Sequence, residues 1–153
     1  MLTAPKLNDK FSFLNVSCSS LEAAMLKNNK FDIKRIVLGL GCQNCSHPTL
    51  ENVATRWKGM FRNTAIERVN TSIPFGSYDN LEQFVYGYSK YPEGKNMNWN
   101  KKHVTIGRGF SELSSLALKR NESDYYLYTE DDIYFVDYYF DKLYEYVQHY
   151  YHI

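Results

Sequence analysis

The stretch that most constrains this chain is Ser123 to Val136, SDYYLYTEDDIYFV, where an aromatic and aliphatic run ends in three consecutive carboxylates. Tyr125, Tyr126, Leu127 and Tyr128 are large, β-favouring and contiguous, so the spacing predicts a buried strand with no solvated face. Glu130, Asp131 and Asp132 then stand where that strand leaves its sheet. In an open α/β sheet this is the carboxyl end, where ligands gather. Adjacent carboxylates repel, and a shared divalent cation relieves the repulsion.

At 153 residues the chain has the length of one domain. A net charge of +1 gives no bulk electrostatic case for a nucleic-acid partner. Fourteen Tyr and nine Phe serve as core or as a stacking surface for a sugar or a base. No apolar run is long enough to span a membrane, and MLTAPKLNDKFSF lacks the apolar centre of a signal peptide. Four Asn-X-Ser sequons, at Asn15, Asn44, Asn70 and Asn121, lean towards a secretory lumen. Cys42 and Cys45 form a lone C-x-x-C without the second pair of a zinc site, and Cys18 is a candidate disulfide partner for either.

Residues 1–30 read as a peripheral segment with a short helix from Ser20 to Lys27, and residues 31–153 as the domain proper. Ile33 to Leu40 is the first expected strand, closed by a turn through Gly39 and Gly41 that brings backbone close to a ligand. That turn has neither the third Gly of a dinucleotide fingerprint nor the Gly-Lys-Ser of a P-loop. An amphipathic helix follows from Thr49 to Phe61, with Leu50, Val53 and Trp57 inward, then a strand from Ile66 to Ile73 and a turn from Pro74 to Asp79. Asn80 to Gly94 reads as a short helix running into a loop, and Asn96 to Lys102 as an exposed basic stretch; Lys95, Lys101 and Lys102 are candidate diphosphate contacts, with a solvated loop as the alternative. His103 to Ile106 reads as extended, followed by a helix from Phe110 to Arg120; Asp137 caps a last helix through Tyr151.

The run YYLYTEDDIYFVDYYF resembles the signature of the N-acetylglucosaminyltransferase IV family, Golgi enzymes of the GT-A fold. In that signature Tyr-Tyr precedes Glu-Asp-Asp-Ile, and a helix follows that opens with a polar residue, Tyr and Phe. Here these are Tyr125, Tyr126, Glu130, Asp131, Asp132, Ile133, Asp137, Tyr139 and Phe140. Upstream, IPFGSYDNLEQF is similar to the family's Pro-x-x-x-Tyr-x-x-Leu segment.

The resemblance implies a GT-A-like, Rossmann-like α/β open sheet with flanking helices, shortened so that the acceptor half is absent. It implies Asp132 and Asp131 as ligands of Mn²⁺ or Mg²⁺, with Glu130, Arg108, Glu112, Gly39 and Gly41 around a UDP-N-acetylglucosamine donor and a mannose of an N-glycan as acceptor. Arg108 and Glu112 match in kind a basic residue and an acid four positions on, at the start of the helix before the acidic motif; a salt bridge between them is the alternative. Leu40 and Gly41 stand where the family's donor turn has Ile and Pro. A further strand and helix expected between Phe61 and Ile66 has no room there. A non-catalytic GT-A-like binding domain, or a ligand-free acidic cluster at a helix entry, would carry the same residues.

Overall fold

The computed structural model describes residues 1–3, 13–72 and 97–151. Among them the elements run β1 (Leu2–Thr3), α1 (Leu14–Lys27), β2 (Arg35–Leu40), α2 (Pro48–Met60), β3 (Ala65–Asn70), α3 (Met97–Arg120) and α4 (Tyr139–Tyr151). The fold class is α/β, with a small parallel sheet in the order β1-β2-β3. Leu2 lies opposite Gly39, and Arg35 to Leu40 lie opposite Ala65 to Asn70. Parallel neighbours need long crossovers, which α1 and α2 supply.

The sheet has a fourth participant. The Leu2 amide donates to the Thr129 carbonyl at 3.0 Å, and Leu2 forms a parallel bridge with Glu130. The lateral order is therefore the segment ending at Glu130, then β1, β2 and β3, so β1 lies inside the sheet although it comes first in the chain.

The described parts of residues 1–30, namely 1–3 and 13–30, contribute to the core rather than lying at the periphery. Leu2 and Thr3 are buried, and α1 buries Leu14, Cys18, Leu21, Ala24 and Met25. These recur every three or four residues, as a helix facing a core requires. The helix begins six residues before the expected Ser20 because its polar members are accommodated inside: the Ser20 hydroxyl donates to the Ser17 carbonyl at 2.9 Å and accepts the Phe135 amide at 3.0 Å.

Along β2 the side chains alternate between faces. Leu38 and Leu40 are fully buried in the cluster that includes α1, Leu50, Ala54 and Trp57 of α2, Phe135 and Phe140. Gly39 faces the opposite side, where a Cβ would meet the Leu113 methyls of α3 at 3.0 and 3.2 Å. At α2, Pro48 takes the first turn and the buried His47 is the N-cap, its Nδ1 accepting the Leu50 amide at 3.4 Å.

Three further expectations are corrected. Tyr125, Leu127 and Tyr128 do not form a buried strand: they are 56%, 48% and 46% exposed, and only the end of the run, at Thr129 and Glu130, meets β1. A β-prone run is buried only where strands flank it. His103 to Ile106 lies within α3, one continuous helix from Met97. Asp137 does not cap α4, which starts at Tyr139; its Oδ2 accepts from Lys27 Nζ at 2.6 Å. The turn from Pro74 to Asp79, the helix from Asn80 to Gly94 and Lys95 lie outside the described residues.

Candidate functional site

The carboxyl ends of the strands all point to one edge of the sheet. The direction of chain progression reverses at β1, whose two neighbours are β2 and the segment ending at Glu130. This is a topological switch point, where loops diverge and leave a crevice. The acidic triplet stands there, held by the Leu2 bridge on one side and by Phe135, 2% exposed, on the other.

The triplet is divided. Glu130 and Asp132 are exposed, while Asp131 is 8% exposed and turned into the protein. Burial pushes the Cys18 thiol up to about 12, and the neighbouring Asp131 carboxylate adds to the rise, so Cys18 is a protonated, inert thiol on α1. Asp131 and Asp132 thus differ in their access to solvent. Among the described residues no three His, Cys, Asp or Glu side chains are grouped to hold a metal. Two surface carboxylates still suit a hard cation that takes its remaining ligands from phosphate and water.

The two glycines are one strand away from the triplet, and their amides are spent. Gly39 N donates to the Met1 carbonyl and Gly41 N to the Thr3 carbonyl, both at 2.8 Å. They join β2 to β1 and offer no amide to a donor. The loop beyond is rigidified instead: Cys42 and Cys45 are joined by a disulfide, and Asn70 Nδ2 donates to the Gln43 and Cys45 carbonyls at 3.2 and 2.9 Å. Cys18 takes no part in a disulfide.

Arg108 is not at a helix N-terminus, because α3 has begun at Met97, so no free helix amides lie beside it. Nor does it pair with Glu112 among the described residues. Glu112 instead accepts the Ser72 amide at 2.8 Å and the Ser72 hydroxyl, fixing the chain just after β3. Ser72 follows the far strand, three strand spacings or about 14 Å from the triplet.

The course of α3 nevertheless brings Arg108 to the right edge. The helix crosses the sheet with Phe110 edge-on to Tyr128, ring centroids 6.3 Å apart, Leu113 over Gly39, and Arg120 bonded to Glu67 at 2.7 Å. Glu112 marks the carboxyl end of β3, so the helix runs antiparallel to the strands. Arg108 is exposed, one turn or about 6 Å further towards the carboxyl edge. Glu130, Asp132 and Arg108 are therefore the expected site residues that share this edge as exposed charges.

Sequence reasoning missed β1, which sets where the triplet sits. Its signal is two residues long, too short for any periodicity. No protein-family model, curated protein or solved structure matches the chain.

Proposed function

We propose that the chain is a GT-A-like glycosyltransferase domain that moves N-acetylglucosamine from UDP-N-acetylglucosamine to a mannose of an N-glycan, with inversion, in the Golgi lumen. The observation that carries the reading is the acidic triplet at the carboxyl end of the segment flanking β1, at the reversal of strand order. Asp132 and Glu130, exposed there, are the residues that would hold Mn²⁺ or Mg²⁺; bound, the cation neutralises the leaving diphosphate. Asp131 orients the turn from inside. Arg108 supplies a fork of donors to a phosphate at the same edge. Glu112, Gly39 and Gly41 support that edge through Ser72, Leu113 and β1 rather than by touching the donor.

Titration calorimetry with UDP and Mn²⁺ tests the proposal. Binding should depend on the cation and weaken at least tenfold in Asp132→Asn; equal binding by that variant overturns the assignment. A non-catalytic sugar-nucleotide-binding domain is the second reading, favoured by the burial of Asp131, which leaves two carboxylates at the surface. It predicts the same cation-dependent binding with no release of UDP when a mannoside acceptor is added.

A further inference from the structure

The four sequons differ sharply in what the fold leaves of them. At Asn70 every polar side-chain atom is engaged: Nδ2 gives its two hydrogens to Gln43 and Cys45, and Oδ1 accepts from Arg68 Nη2 at 2.7 Å. A glycosylated Nδ2 keeps one hydrogen, so a glycan there would break the clamp on the disulfide loop. At Asn15 the sequon hydroxyl, Ser17, is 1% exposed inside α1. Asn44 is exposed, but it lies within the four-residue ring closed by Cys42 and Cys45, and the middle residue of its sequon is the bonded Cys45.

Asn121 is different. It is the exposed residue that ends α3, in the left-handed region at φ 45°, and among the described residues no hydrogen bond engages its side chain. The chain beyond it is irregular up to Glu130, and Ser123 is half-buried. Helix termination explains an Asn here, since Asn tolerates a positive φ at the position after a helix. It does not explain a hydroxyl two residues later. The Cys42–Cys45 disulfide is compatible with an oxidising compartment, the one in which sequons are used.

We infer that Asn121 is a site of N-glycosylation and that Asn70 is not. The inference rests on the luminal part of the reading above. In the reaction, Asn121 Nδ2 forms a bond to the anomeric carbon of a polyprenyl-diphosphate-linked oligosaccharide as the bond from that carbon to the diphosphate breaks. The amide proton passes to a base of the transferase, and the diphosphate leaves with the lipid. The glycan projects from the end of α3 that faces the amino edge of the sheet, where Glu122 pairs with Arg35, and leaves the carboxyl edge open.

The test is secretion of the full chain from mammalian cells behind a cleavable signal sequence, followed by site-resolved glycopeptide mapping with and without an N-glycan-releasing amidase. The wild-type chain and Asn70→Gln should carry a glycan at Asn121. Asn121→Gly, which keeps the left-handed turn, and Ser123→Ala, which keeps the Asn, should lose that glycan, while Ser123→Thr retains it. A bare Asn121 in chain whose Cys42–Cys45 bond is oxidised overturns the inference, as does a glycan at Asn70. UDP titration of the Asn121 and Ser123 variants reads the proposed function separately, because these two positions lie away from the carboxyl edge, whereas Asn70 ends β3 at that edge and its variant serves the glycan mapping alone.

Discussion

Trp57 joins the two helices that cover one face of the sheet, and its replacement by Phe gives a calculable loss. The indole is 1% exposed, and its Nε1 donates to Glu22 Oε1 of α1 at 3.0 Å. A hydrogen bond to a charged acceptor contributes about 1.5–3 kcal/mol. The smaller ring leaves unfilled space beside Ala54 and Leu50, which adds about 1 kcal/mol. Trp57→Phe should therefore cost about 3 kcal/mol, or roughly 6–12 °C in melting temperature for a chain of this size. The carboxylate also accepts from Arg56 at 2.7 and 3.1 Å, but that guanidinium is 63% exposed and contributes little.

Bonding to Arg56 first, and then to Trp57, holds the Glu22 carboxyl below its ordinary value of 4.5 despite an opposing effect of burial. A depressed folded pKa contributes stability above the unfolded value and loses it as pH falls through the folded one. The assay is urea unfolding followed by far-ultraviolet circular dichroism on the wild type, Trp57→Phe, Glu22→Ala and the double variant. The coupling between the two sites should be about 1–2 kcal/mol at pH 7 and shrink below pH 4.5. A cost for Trp57→Phe under 1 kcal/mol, or a coupling within 0.5 kcal/mol of zero, refutes the reasoning.

Glu67 on β3 is bonded to Arg120 and to Arg35, which hold its carboxyl below 4.5, and Glu122 is likewise lowered by Arg35. By the same sign, midpoint urea concentration should be flat above pH 5 and fall below 4.5, while Glu67→Ala, which leaves two half-buried guanidiniums facing each other, costs about 1–2 kcal/mol at pH 7 and flattens the acid limb. Raising the Cys18 thiol from 9.0 to about 12 lowers its thiolate fraction at pH 8 about a thousandfold, so iodoacetamide should label it in the folded chain at least that much more slowly than in urea. Rates within tenfold of each other would contradict its burial. Gly39→Val places a branched Cβ against Leu113 methyls at 3.0 Å and should cost about 1–3 kcal/mol, with Leu113→Ala recovering part of the loss in the same urea assay.

What could be read from the residues alone was whatever repeats with a helical or strand period. Leu50 and Trp57 on α2, the β2 run Ile36-Val37-Leu38, and Phe140 and Leu143 on α4 each announce their element because the neighbours that bury them are implied by the spacing. The acid triplet at a chain turn was equally legible. Other features depended on contacts far apart in the chain. Leu2 and Thr3 form a strand because Gly39 and Thr129 lie on either side, and a two-residue segment has no period of its own. Tyr125, Leu127 and Tyr128 stay exposed because strand propensity needs a paired backbone to become burial. Asp131 turns inward and Asp132 outward because Phe135 and α1 fix the turn between them, and the distribution of charge over three adjacent acids is a property of what packs around them.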